Sequence, residues 1–148
     1  MEEIKIKDYT TSISASRTMG EIEELLSGLG ANAILKNYRG DGRVEALSFQ
    51  YKGMGFKLPS NTEKCMECLK TLPVYRNKPR QWLEEQAERV TWRVIKDWLD
   101  AQISLIRIGQ AEMQQVMLPY VWDGKHTLYD KFKESNFMLG TSSKVEEQ

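Results

Sequence analysis

One segment, from Gln81 to Met117, has the apolar periodicity of a single long helix and constrains the fold more than any other feature. Its apolar residues recur at alternating steps of three and four: Ala87, Val90, Val94, Trp98, Ala101, Leu105 and Ile108. A second set widens this stripe: Trp92, Ile95, Leu99 and Ile106. Because so wide a stripe must be buried, we expect the helix around residues 84 to 117 to cover a sheet and to bury Trp98. The sequence leaves open whether Gly109 bends or breaks this helix.

The remaining sequence predicts short helices and strands. Ile4 and Ile6 alternate with lysines, which is typical of a strand over residues 3–9. Thr18 and Glu21 have the spacing of a capping box, in which two side chains satisfy free backbone N–H groups, so a helix is expected over residues 19–28. Further strands are predicted over residues 31–38, 43–51 and 54–58. A second helix is predicted from a capping box at Ser60, and a final helix over residues 127–133.

These elements predict an α+β fold. We expect a three- or four-stranded mixed or antiparallel sheet with short helices, packed against one long C-terminal amphipathic helix. A chain of 148 residues with 41% hydrophobic content fits one ordinary domain. We assign residues 1–140 to that domain and expect residues 141–148 to be a disordered tail.

The charge balance limits the classes of partner. Twenty-one basic and twenty-one acidic residues cancel, so the chain lacks the overall field that draws proteins to nucleic acid or acidic membranes. Its first residues have no hydrophobic core of a secretory signal, and no run is long and apolar enough to cross a membrane. We therefore expect a cytoplasmic protein without a membrane partner.

Two cysteines, Cys65 and Cys68, have the CxxC spacing of half a zinc site or of a redox disulfide. Zinc would require two further ligands, and His126 is the single histidine. Both cysteines fall on the apolar stripe of the second helix, which favours buried thiols. Because further ligands are missing, we expect no metal, and we also expect no cofactor. We expect no enzymatic activity, because no pairing of a nucleophile with a base can be identified.

Basic residues near the strands offer one possible binding surface. Phe49, Tyr51 and Phe56 could form a stacking platform for single-stranded nucleic acid, although the same aromatics suit a core beneath helices. The residues that would meet phosphates are Arg39, Arg43, Lys57, Arg76, Lys78 and Arg80. The loop cluster at residues 76–80 is also typical of a solvated loop.

The long helix offers a second binding surface. Trp92 lies off the main stripe and could bind a partner together with Arg93 and Lys96, since tryptophan dominates interface hot spots. The favoured alternatives for Trp92 are burial in the core and self-association. The wide apolar face also predicts a homo-oligomer, most simply a dimer, with the helix at its interface. The alternative is that the final helix, with Leu128, Tyr129 and Phe132, folds back over that face.

The segment QAERVTWRVIKDWLDAQ, residues 86–102, and the following MLPY, residues 117–120, resemble small uncharacterised proteins encoded by phages and prophages. That resemblance implies a context and carries no catalytic residues. It implies a non-enzymatic accessory protein that acts by binding and inhibits a host enzyme or defence system. The alternative is a nucleic-acid or nucleotide-binding protein that assists phage replication or recombination, or sequesters a signalling nucleotide.

Overall fold

The computed structural model of the chain describes residues 2–140, so the predicted tail, residues 141–148, lies outside the described residues. The described part is α+β, as predicted. Its elements are α1 (Ala15–Leu29), β1 (Ala33–Tyr38), β2 (Val44–Tyr51), β3 (Met54–Pro59), α2 (Thr62–Leu69), α3 (Arg80–Arg107), α4 (Met113–Val116) and α5 (Leu128–Glu134), with 3₁₀ helices at Pro73–Tyr75 and Leu118–Tyr120. The long helix α3 is central in this order and not C-terminal, so that part of the prediction is wrong.

The strands of the described residues form one antiparallel sheet of three, in the order β1–β2–β3. Phe49 of β2 lies opposite Ile34 of β1 and Phe56 of β3, and all three side chains share one face. That face belongs to the same buried cluster as residues of α1 and α3. A backbone bridge between Phe56 and Val121 extends the sheet beyond β3.

The N-terminal segment is not a strand, contrary to the prediction for residues 3–9. Residues 2–6 have no regular structure, and a turn follows. Side chains bind its backbone instead: the N–H of Ile4 donates to Thr71 Oγ1 at 2.7 Å, and the amide of Gln86 donates to two carbonyls of the segment at 3.0 Å. The alternating pattern was misleading because these bonds satisfy the backbone polar groups without a sheet.

Both predicted helix starts are displaced. Ser14 caps α1 by accepting from the N–H of Arg17 at 3.1 Å, so the helix begins at Ala15. Thr18, which we expected at the cap, is fully buried inside the helix. Asn61 caps α2, where Ser60 was expected. In each case a nearby residue with an equivalent side-chain oxygen caps the helix.

The long helix ends earlier than predicted. α3 spans Arg80–Arg107, and Gly109 follows with φ of 81°, a left-handed conformation that favours glycine and ends helices. The chain then changes direction before α4 begins at Met113. Gly109 therefore breaks the helix, and residues 110–117 do not continue it.

α3 contributes to two separate apolar clusters. Trp92, Leu99 and Ile103 pack with α1 and the sheet, whereas Leu83 and Val90 pack with α2. Trp92 is 0% exposed, so it lies in the core, and the alternative of an exposed anchor for a partner is wrong. Trp98, expected in the core, is half-buried and packs edge-on against Tyr120 at 5.8 Å between ring centroids. α3 is therefore buried on more than one side, because α1 packs on one side of it and α2 on another.

The predicted dimer depended on surplus apolar surface along the long helix. Much of that surface packs within the chain, and α5 packs against the 3₁₀ helix Leu118–Tyr120 instead of folding back over α3. Exposed apolar side chains lie elsewhere, including Leu35 and Tyr38 on β1. The homodimer stays a prediction, but an interface on α3 loses its physical reason.

We predict that Trp92→Ala lowers the free energy of unfolding by about 3–5 kcal/mol, because it leaves a large cavity in the core. Trp98→Ala, at a half-buried site of the same helix, should cost less. Urea denaturation followed by circular dichroism measures both values. A larger loss for Trp98→Ala than for Trp92→Ala would contradict the burial described above.

A tryptophan and lysine cleft as candidate functional site

Three of the predicted phosphate-binding residues, Arg39, Arg43 and Arg80, line one polar cleft of about 220 Å³. Carboxylates pair with each guanidinium. Arg43 lies 3.1 Å from Glu84 and 3.3 Å from Glu88, and Arg80 lies 2.8 Å from Glu84. Further pairs join Arg39 to Asp41 and Arg80 to Glu63. The acidic groups thus offset the arginines, and the cleft has no excess positive charge for a phosphate.

The carboxylates of this polar cleft behave as structural partners of the arginines. Hydrogen bonding by Arg43 lowers the pKa of Glu84, which keeps its charge available to both Arg43 and Arg80. Burial raises the pKa of Glu88, and the charge of Arg43 opposes that rise. The geometry is that of an ion-pair network that connects Arg43, the residue before β2, to the first turns of α3.

The other predicted contacts do not form a shared surface. Lys78 lies over the ring of Trp82 at 4.9 Å, and neither Lys78 nor Arg76 lines the polar cleft. Arg93 forms an ion pair with Glu21. The remaining predicted partner-binding residue, Lys96, lies 3.5 Å from Asp100, which is its i,i+4 neighbour. With Trp92 buried, these side chains stabilise the fold.

The stacking platform predicted on the middle strands is buried. Phe49 and Phe56 stack with ring centroids 5.1 Å apart, and they are 3% and 0% exposed. Tyr51 is half-buried against the same cluster. The core alternative for these aromatics is therefore confirmed.

Lys57 belongs to a different and larger cleft of about 440 Å³, which we call the tryptophan cleft. It lies between the end of β3 and the segment from residue 119 to residue 130. Its lining residues are Lys57, Pro59, Pro119, Tyr120, Trp122, Lys125, Thr127, Tyr129 and Asp130. The cleft therefore combines three aromatic side chains with two lysines and one carboxylate.

Backbone pairing holds Trp122 in this cleft. The N–H of Trp122 donates to the carbonyl of Gly55 at 2.9 Å, next to the Phe56–Val121 bridge. Since Trp122 lies beside Gly55 at the sheet edge, its side chain belongs to the sheet face opposite the helices. A second bridge, to Thr127, closes a tight turn behind it.

Asp123 fixes that turn. Its Oδ1 accepts from the N–H of His126 at 2.8 Å and from the N–H of Lys125 at 2.9 Å, and Lys131 lies 2.7 Å from its other oxygen. The hydrogen bond from His126 is the largest cause that holds the pKa of Asp123 well below its usual range. The turn thus keeps its carboxylate charged at all ordinary pH values, and it holds Lys125 at the cleft.

Both lysines of the tryptophan cleft have their charge available. Lys57 lies over the Trp122 ring, with its ammonium 5.2 Å from the centroid. In residues 2–140 neither Lys57 nor Lys125 forms an ion pair. Asp130, the one acidic lining residue, completes the capping box of α5 by accepting from the N–H of the N-cap residue Thr127 at 3.0 Å. An aromatic ring is therefore presented together with unneutralised cations, which suits a flat anionic ligand.

The cysteines form no site with other ligands in the part of the chain that the structure describes. Cys65 is buried, Cys68 is half-buried, and both are free thiols. Among the described residues, no group of three or more histidine, cysteine, aspartate or glutamate side chains is arranged to hold a metal ion. Burial raises the pKa of the Cys65 thiol, which lowers its reactivity.

We predict that Cys65 reacts much more slowly than Cys68 with a thiol reagent such as DTNB in the native protein. Burial both shields the Cys65 sulfur and disfavours its thiolate. Comparing Cys65→Ala with Cys68→Ala assigns each rate, and denaturant should make both thiols react. Equal native rates would be inconsistent with the buried position of Cys65.

A second prediction concerns Gly55, where the backbone of Trp122 approaches closely. A Cβ at Gly55 would lie 3.2 Å from the carbonyl oxygen of Trp122, so Gly55→Ala should push the Trp122 segment away from β3. We expect a loss of about 1–3 kcal/mol in unfolding free energy and faster hydrogen exchange at the Trp122 amide. Gly40→Ala is the control, because a Cβ there meets open space. If hydrogen exchange at the Trp122 amide is unchanged in Gly55→Ala, the Trp122 segment accommodates the added methyl group without weakening its pairing with β3, and the prediction is wrong.

Across the described residues, none of the helices has the length and apolar character needed to cross a bilayer. No protein-family model matches the chain, and comparison with curated proteins and with solved structures finds no significant match either. The geometry of the tryptophan cleft is therefore the basis on which a function can be proposed.

Proposed function

We propose that this chain is a non-enzymatic accessory protein of phage type that acts in the cytoplasm by binding, and that the tryptophan cleft binds a nucleotide. The observation that carries the proposal is the position of Lys57 over the Trp122 ring, with Lys125 lining the same cleft. A base stacks on an aromatic side chain, and ammonium groups attract the phosphate. The phage context comes from the resemblance alone.

The size and charge of the cleft support a small ligand. Its volume of about 440 Å³ lies in the range of roughly 300–1,000 Å³ typical of small-molecule sites. Its two lysines outnumber its one carboxylate, Asp130, so the lining has an excess of positive charge. By contrast, the whole chain has a net charge of zero, which disfavours a long nucleic-acid backbone tracking over its surface. These features favour a nucleotide over a duplex.

A protein partner, such as a host enzyme or defence protein that the chain inhibits, is the second candidate. The observation in its favour is an exposed apolar surface near the C-terminal end of the described residues. Phe137 is 51% exposed and Met138 is 66% exposed, although Phe137 also contacts the rings of Tyr129 and Phe132. Exposed apolar groups close together are typical of protein interfaces. Met138→Ser changes the more exposed residue and keeps the ring contact between Phe137 and Tyr129 of the tryptophan cleft, so it should weaken such binding and leave nucleotide binding intact.

We predict that nucleoside 5′-monophosphates bind the wild-type chain and that Lys57→Ala weakens their binding about tenfold. A hydrogen bond to a charged group is worth about 1.5–3 kcal/mol, and 1.4 kcal/mol corresponds to a factor of ten. Isothermal titration calorimetry with all four monophosphates measures the dissociation constants. Trp122→Leu, which keeps an apolar side chain but removes the indole, should weaken binding to a similar extent.

Lys78→Ala is the matched control, because Lys78 also lies over a tryptophan ring but outside the cleft. It should leave the affinity unchanged. Absence of binding to any of the four nucleotides, or an equal loss in Lys57→Ala and Lys78→Ala, would reject the tryptophan cleft as a nucleotide site.

A further inference from the structure

A second cleft of about 550 Å³ lies on the sheet face opposite the helices, and Trp122 lines it as well as the tryptophan cleft. We call it the sheet cleft. The lining residues that matter here are Leu35, Ser48, Gln50 and Gly55 from the three strands. The single tryptophan therefore borders two neighbouring cavities of similar size.

We infer that the ligand consists of two nucleotide units joined through phosphate, with one base in the tryptophan cleft and the other in the sheet cleft. This inference rests on the proposed nucleotide binding and specifies its ligand. A mononucleotide would fill one cleft and leave the other empty. Two linked units would use both cavities that Trp122 borders.

The strand register shows how the sheet cleft is built. Gln50 lies opposite Gly55, and Ser48 lies opposite both Leu35 and Lys57. Gly55 has no side chain, so the sheet face beside Trp122 stays open for a flat ring. Leu35 is 57% exposed and provides an apolar surface at the far side.

Polar groups in the sheet cleft suit a base better than a phosphate. Gln50 is exposed, and in the described residues its side chain forms no hydrogen bond, so its amide can donate to and accept from the edge of a base. The Ser48 hydroxyl already donates to Asn37 at 3.0 Å. Asp123 is the charged side chain of this lining, and its carboxylate would repel a phosphate.

The phosphate position follows from the same register. Lys57 projects from the strand position opposite Ser48, on the face shared by both clefts, and its ammonium lies over Trp122. A linking phosphate beside Lys57 would place one base on each side of it. The charge of Lys57 thus lies in the tryptophan cleft beside Trp122, the residue that borders both cavities, whereas the described lining of the sheet cleft includes no lysine or arginine.

The test compares a nucleoside monophosphate, a linear 3′–5′ dinucleotide and an eight-nucleotide single strand by calorimetry with the full chain. We expect the dinucleotide to bind at least tenfold more tightly than the monophosphate. Leu35→Glu, which adds a negative charge to the sheet cleft at an exposed edge position, should remove this gain and leave monophosphate affinity unchanged. Val74→Glu adds the same charge at a site that is 65% exposed and outside both clefts, so it should preserve the gain.

The outcomes separate this inference from the proposed function. If monophosphate and dinucleotide bind equally, the sheet cleft is not part of the site, although nucleotide binding stands. If neither binds, the proposed function itself fails. A dinucleotide gain that survives Leu35→Glu would also overturn the inference. A further large gain with the eight-nucleotide strand would identify the two units as part of a longer strand, and no further gain would identify a free dinucleotide.

Discussion

Burial of α3 in two apolar clusters is the interaction on which the rest of the structure depends. The C-terminal two thirds of the helix pack with α1 and the sheet through Trp92 and Leu99, and its first turns pack with α2 through Leu83. Each cluster alone contains few elements, so neither half of the chain would bury enough apolar surface without this helix. Gln86, on the same helix, also binds the N-terminal segment, because its side-chain amide donates to the carbonyls of Tyr9 and Thr11. α3 thereby joins residues from both ends of the chain.

This arrangement determines where a ligand can bind. Because the helices pack on the Phe49–Phe56 face of the sheet, the opposite face carries small and polar side chains such as Ser48 and Gln50. Trp98 of α3 contacts Tyr120, which brings the chain after α4 back to the edge of β3. From there the Asp123 turn presents Trp122 and Lys125 beside that open face. The cleft is thus a consequence of how the core is packed on the other side.

The sequence predicted the positions of the helices and strands better than it predicted which side of each is buried. The positions of β1, β2 and β3 and the α+β class could be found because alternation bounded by turn residues is a local signal. Alternation alone, at residues 3–9, predicted a strand that is absent. The face of α3 could not, because Trp92 is buried only when α1 and the sheet pack against it, and a stripe drawn through Trp98 fitted the helical period as well. The tryptophan cleft was missed for a related reason. Lys57 and Trp122 are distant in sequence, and a single backbone pairing at Gly55 brings them together.

Arginine and lysine residues that cluster in the sequence do not by themselves form an anion-binding site. Arg43 and Arg80 are close together, as the sequence allowed, but Glu84 lies within 3.1 Å of both, and a phosphate would have to break those pairs. Lys57 has no carboxylate partner in the described residues and instead contacts an aromatic face. An anion that binds beside Lys57 would therefore break no ion pair. The free charge, more than the number of cations, decides which cleft can hold a nucleotide.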